Sequence, residues 1–185
     1  MAPDTIRDGK GRGYLAEVDS ENRLRVGSIV QDLISHANIE EYQAYSMYIS
    51  VTPTGANDCF AFLKNISADS YLIVSAVKAY TASDENIQLK LKDTGTAAGG
   101  TIYVPVNRNT ITSNTANVLC EYGVDITGLS GGLIVDNLFI DGATSSQRFD
   151  WNSGLVVSPN QMISFYAVAG AIALRMTVSF FFHSI

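Results

Sequence analysis

Met162-Ile-Ser-Phe-Tyr-Ala-Val-Ala-Gly-Ala-Ile-Ala-Leu-Arg-Met-Thr-Val-Ser-Phe-Phe-Phe182 is the stretch on which the fold turns. Its length and its single charge, Arg175, suit a membrane-spanning helix. Its order suits strands. Ile172, Leu174, Met176, Val178, Phe180 and Phe182 alternate with Ala171, Ala173, Arg175, Thr177, Ser179 and Phe181. That is a period of two, and Arg175 falls on the small, polar face. An unpaired arginine at mid-bilayer costs about 2.5–3.5 kcal/mol on insertion scales. With Ala169-Gly170 as the divider, the stretch predicts a terminal β-hairpin and no membrane partner.

The same pattern recurs upstream. Tyr45, Met47, Ile49 and Val51 alternate with Ala44, Ser46, Tyr48 and Ser50, and a Pro53-Thr-Gly55 turn follows. Cys59–Leu63 is apolar on both faces. Strands are expected at Tyr71–Tyr80, Ile87–Lys92, Val118–Tyr122, Leu133–Ile140 and Gln147–Trp151. Asp93–Gly100 reads as a loop. Thr101–Val106 contains Pro105, which confines it to a sheet edge. Short strands with turn signals every 8–12 residues, and no βαβ alternation, predict an all-β sandwich or barrel. Composition agrees. Ser, Thr and Asn total 43 of 185 residues, and Lys and Glu are few.

Residues 1–27 stand apart. Arg7, Lys10, Arg12, Arg23 and Arg25 balance Asp4, Asp8, Glu17, Asp19 and Glu21, so the whole net charge of −6 lies on residues 28–185. Gly9, Gly11 and Gly13 make the start pliable. Tyr14–Val18 and Arg23–Val26 flank a turn-rich Asp19–Asn22, which reads as a small hairpin on an N-terminal arm. Such a hairpin is marginal alone and needs something to dock on. The expected organisation is an arm over 1–27 and a β-domain over 28–185. Within the latter, Ser28–Glu41 spaces Ile29, Val30, Leu33, Ile34 and Ala37 like a helix, yet also suits a strand and a loop.

Little here suggests chemistry. Cys59, Cys120, His36 and His183 have no zinc-ligand spacing, and the cysteines read as free buried thiols. Gly9-Lys-Gly-Arg-Gly13 follows no strand and opens no helix, unlike a phosphate-binding loop. Glu40-Glu41 and Asp84-Glu85 lack a partner histidine and read as solvated surface. Ser153-Gly154 belongs to no Gly-x-Ser-x-Gly motif. We therefore expect no catalytic residues, no metal, no cofactor and no enzymatic activity. The acidic balance argues against nucleic acid as a partner. Met1–Lys10 has no apolar core of a signal peptide. What stands out is surplus apolar surface: Cys59–Leu63 and Phe180–Phe182 carry large side chains on both faces. Self-association is the economical cover, with Phe180 and Phe182 as the expected contacts.

The order of segments then resembles a known group. Asp8-Gly-Lys-Gly-Arg-Gly-Tyr-Leu-Ala-Glu-Val-Asp-Ser-Glu-Asn-Arg-Leu-Arg25 resembles the N-terminal arms of small structural proteins of tailed bacteriophages. So does Gly95-Thr-Ala-Ala-Gly-Gly-Thr-Ile-Tyr-Val-Pro-Val-Asn-Arg-Asn109. Leu155-Val-Val-Ser-Pro-Asn-Gln-Met-Ile-Ser164, with the strands after it, resembles the close of a jelly roll, although Ser158-Pro-Asn160 stands where Pro-Gly is more usual. The group is similar to capsid decoration (cement) proteins. The resemblance implies an antiparallel jelly-roll β-sandwich with an extended N-terminal arm. It implies a homotrimer bound to the major capsid protein on the outside of a virion assembled in the bacterial cytoplasm. Arg12, Tyr14, Leu15, Val18, Arg23, Leu24, Arg25 and Val26 are then the expected arm contacts to the shell or a sister subunit. The alternative is a tail, collar or fibre component of the same fold that binds a tail protein or host glycan. A sugar-modifying cupin would need a His/Glu metal cluster, which the sequence lacks.

Overall fold

The computed structural model describes residues 43–143 and 146–184, together with two short strands nearer the N-terminus. The chain divides into two units, Met1–Asp32 and Leu33–Ile185. In the first, β1 (Glu17–Val18) pairs antiparallel with β2 (Leu24–Arg25), placing Glu17 opposite Arg25 and Val18 opposite Leu24. The turn expected at Asp19–Asn22 lies outside the described residues. The unit boundary falls slightly beyond the expected residue 27. Ser28–Glu41 lies outside the described residues.

The second unit is built of strands. They are β3 (Ala44–Val51), β4 (Asp58–Asn65), β5 (Ser70–Thr81), β6 (Glu85–Leu91), β7 (Thr94–Ala98), β8 (Thr101–Tyr103) and β9 (Val106–Asn107). There follow β10 (Val118–Tyr122), β11 (Thr127–Ser130), β12 (Leu133–Ile140), β13 (Gln147–Val157), β14 (Met162–Ala167) and β15 (Leu174–Ser184). No helix among the described residues is long and apolar enough to cross a membrane.

Two antiparallel sheets form a sandwich. One is six-stranded in the order β12-β6-β14-β4-β10-β8, the other five-stranded in the order β13-β5-β15-β3-β9. The pairings are nested: β3 with β15, β4 with β14, β5 with β13, β6 with β12. The first half of the domain is thus one arm of a long antiparallel ribbon, and the second half is the other. Wrapping that ribbon so that successive pairs fall alternately in the two sheets gives a jelly roll.

The expected terminal hairpin is instead a crossing between sheets. β14 lies between β6 and β4, whereas β15 lies between β5 and β3. The chain does break at Ala169-Gly170, between β14 and β15, but a break does not say which neighbours the strands choose. Glu85 fixes the crossing. Its carboxylate accepts hydrogen bonds from the backbone N–H groups of Ala169 (2.9 Å) and Gly170 (3.1 Å). Gly170 has φ +69°, and a Cβ there would run into the Gly55 carbonyl oxygen, so glycine is required by both space and conformation.

Residues 92–132 are an insertion between the paired strands β6 and β12. It adds β10 and β8 beyond β4 in one sheet and β9 beyond β3 in the other. Pro105 separates β8 from β9, so the chain edges both sheets within a few residues. The insertion also makes a flap. Thr94–Ala98, expected as loop, is strand β7 and pairs with β11. The expectation failed because Thr-Gly-Thr-Ala-Ala has no large apolar residue to reveal its period.

Two packed faces result. Between the sheets, Tyr45, Met47, Phe60, Leu63, Val74, Leu89, Phe165, Val178, Phe180 and Phe182 belong to one buried cluster. Tyr45 stacks on Phe180 at 5.8 Å between centroids, and Phe182 meets both rings edge-on. On the other face of β4 and β14, Cys59, Phe62, Met162 and Tyr166 pack with Ile126, and Ala97 and Leu129 of the flap join them. The two-faced apolar run Cys59–Leu63 is therefore covered by its own chain.

Candidate functional site

A buried polar group without a partner marks function or strain. Asp93 is 4% exposed at the root of the flap. Its carboxylate accepts from the hydroxyls of Ser164 and Tyr166 (3.0 Å for the latter) and from the N–H of Gly132 (2.7 Å). Asp93 precedes β7 and Gly132 follows β11, so one carboxylate ties both legs of the flap to β14. The Lys90 ammonium lies 3.7 Å from the centre of the Tyr166 ring. Glu85 is likewise buried and spent on backbone N–H groups, its own neighbour Asn86 included. This corrects the reading of Asp84-Glu85 as solvated surface: Asp84 is exposed but accepts from the Gly142 N–H, and Glu85 is internal. Both buried acids are acceptors of donors from the fold itself.

The thiols are inert for a physical reason. Cys59 and Cys120 are free and buried, on β4 and β10. Burial pushes the Cys59 thiol up to about 12, and that of Cys120 up as well. His183 is exposed near the end of β15. Among the described residues no three His, Cys, Asp or Glu side chains gather where they could hold a metal ion.

The expected contact residues fare differently. Phe180 and Phe182 are 2% and 3% exposed and sit between the sheets of a single chain. Phe181, on the opposite face, is buried with Ala44 and Ile73. A bulge between Ser179 and Phe180, where β15 shifts register against β5, lies at the head of this aromatic run. The chain covers these rings itself, so the surplus that suggested a self-association surface there is absorbed by the core. Of the arm residues, Val18, Leu24 and Arg25 lie in the β1–β2 pair, of which only the backbone is described. Arg12, Tyr14, Leu15, Arg23 and Val26 lie outside the described residues.

Exposed apolar surface does exist, at sites the sequence reading did not single out. β12 ends the six-stranded sheet and displays Leu133 (65% exposed), Ile134, Val135 and Phe139 (54%). On the opposite side of the sandwich, the β8–β9 margin displays Ile102, Val104 and Val106. The signal was present in the Leu-Ile-Val run at 133–135, but a run alone does not distinguish an edge strand from a central one.

Two sizeable concave regions lie among the described residues. A polar cavity of about 500 Å³ is lined by Gln43, Ser67, Asp69, Ser70, Asn114 and Ser184. Hydroxyls of Ser67 and Ser70 donate to Asp69 and hold its carboxyl below the usual range. A groove of about 560 Å³ crosses the outer face of the five-stranded sheet, lined by Tyr48, Lys78, Tyr80, Ser146, Arg175 and Thr177 among others.

The arrangement defines a jelly-roll β-sandwich whose buried ionisable groups serve the fold and whose distinctive features are surfaces. Comparison with protein-family models, curated protein sequences and solved structures gives no match.

Proposed function

We propose that the protein is a non-enzymatic virion structural protein, a decoration protein that binds the outer surface of a phage capsid as a homotrimer and reinforces the shell. The observation that carries this reading is the pair of exposed apolar margins on opposite sides of one jelly roll, β12 on one and β8–β9 on the other. A closed ring of identical subunits needs two different patches, because each copy offers one to the copy before it and the other to the copy after. The antiparallel jelly roll and the sequence resemblance to phage structural proteins support the same reading. Shells packed with DNA are stressed at contacts between capsid subunits. A trimer over such a junction adds buried area across it and stabilises the assembled state by mass action. The arm suits reaching a neighbour, with a small strand pair that can add to an exposed sheet edge.

The test is binding of the full chain to purified empty shells, with mass in solution read by light scattering. A trimer that attaches to shells, and loses attachment when residues 1–27 are deleted, is the expected result. A monomer at micromolar concentration, or equal attachment without the arm, overturns it.

A further inference from the structure

We propose that the outer face of the five-stranded sheet is a binding site for an acidic saccharide, a chain of sugar rings bearing carboxylates, held by Arg175 and Lys78 and stacked on Tyr48 and Tyr80. The proposal is independent of where the protein sits on a particle. Strand register builds the site. On this face Tyr48 of β3, Thr177 of β15 and Lys78 of β5 stand in one row across three strands. Ser50, Arg175 and Tyr80 stand in the next row, two residues along each strand. The cations and the rings are thus placed diagonally, with each tyrosine about 10 Å from the far strand of its row, two inter-strand spacings away. Tyr48 and Tyr80 are exposed, at 51% and 39%.

The charge is out of keeping with the rest of the domain. Residues 28–185 hold seven bases against thirteen acids, yet Lys78, Arg148 and Arg175 share this face. Arg148, beside Lys78 on β13, is closed off by Asp150, which it grips through Nε and Nη2 at 2.7–2.9 Å. No ion pair among the described residues holds Lys78 or Arg175. Two cations near one another, with no ion-pair partner among the described residues, repel, so the face is complementary to anions. A guanidinium fork suits a carboxylate in particular.

The remaining features choose the class of anion. β15 is flanked by β3 and β5 along its length, so its backbone groups are consumed and a peptide strand finds no partners here. Exposed aromatic faces, hydroxyls of Ser50, Ser146 and Thr177, and two cations together suit a ligand with flat apolar ring faces, many hydroxyls and negative charge. Net acidity of the chain disfavours nucleic acid.

The experiment is calorimetric titration of the full chain with an oligogalacturonate, beside neutral cello-oligosaccharide, poly-glutamate and a single-stranded oligonucleotide. Oligogalacturonate should bind and the other three should not. Arg175→Gln, Lys78→Gln and Tyr80→Ala should each weaken binding about tenfold or more, with the unfolding temperature unchanged. Tyr48→Ser takes the place of any variant whose unfolding temperature falls. Absence of oligogalacturonate binding, equal binding of poly-glutamate or the oligonucleotide, or undiminished binding by the folded variants each overturns the proposal. None of these outcomes bears on attachment to shells, which is measured separately.

Discussion

Phe180-Phe181-Phe182 and Leu133-Ile134-Val135 are both unbroken apolar triplets in β-strands, and they meet opposite fates. The first lies in β15, with β3 and β5 on either side, and its three rings are almost wholly buried. The second lies in β12, the last strand of its sheet, and all three side chains are more than two-fifths exposed. Side-chain chemistry is similar, so the difference comes from place in the sheet order. A central strand is flanked by a neighbour along both edges, whereas an edge strand keeps a free margin. The core is therefore a property of topology, and exposed apolar surface is found at the margins.

Substitutions can break this contrast. Phe180→Asp should abolish the fold, since it leaves a carboxylate among Tyr45 and Phe182 with no partner, at a cost of several kcal/mol. Loss of cooperative thermal unfolding would show it; a folded variant with impaired association would return Phe180 to the role the sequence first suggested. Asp93→Ala should be next in size. It strands the hydroxyls of Ser164 and Tyr166 and the Gly132 N–H, at about 1–3 kcal/mol for each buried group left unpaired. Hydrogen exchange should quicken across the flap, residues 94–131, before the sheets themselves respond.

A third effect is graded by pH. Burial raises the pKa of Cys59, to about 12 from an ordinary 9.0, and raises those of Cys120, Tyr45 and Tyr166. In the folded state all four favour the neutral form. Their contribution is complete below about pH 9 and is lost as pH climbs from there toward the folded-state values. The melting temperature should fall in that alkaline range, and a Cys59→Ala, Cys120→Ala double variant should fall less steeply relative to its own neutral value. Smallest in stability is Ile134→Glu. At an exposed edge it should change unfolding free energy by less than about 0.5 kcal/mol. It should nevertheless shift the mass of the proposed trimer toward monomer; an unchanged oligomer would remove β12 from the proposed interface.

Much of the fold was legible in advance because period-two alternation survives wherever one face is buried and the other wet. β10 and β12 carry the expected limits, and β3 and β5 come within a residue of theirs. What escaped depends on long-range choice. Nothing near Ala169-Gly170 says that β14 and β15 part company into different sheets. Nothing near Glu85 says that a carboxylate beside a turn will meet the backbone of residues 169 and 170. The flap strand Thr94–Ala98 hid behind small residues. Of the candidate surfaces, the Lys78, Tyr80 and Arg175 cluster was invisible, since Arg175 is distant in sequence from Lys78 and Tyr80 and is joined to them only by strand register.

The nesting of strand pairs also governs how the molecule is made. β3 finds its hydrogen-bonding partner in β15, with Ala44 opposite Phe181. A ribosome must deliver nearly the whole domain before that ladder can close. Until then β3 and β4 wait with open margins, and the loop to be closed is among the longest the domain allows. Contacts of such sequence separation fold slowly and leave the nascent chain exposed to mispairing. The strands of the domain made first thus wait longest for their partners, and its folding hinges on the strand made last.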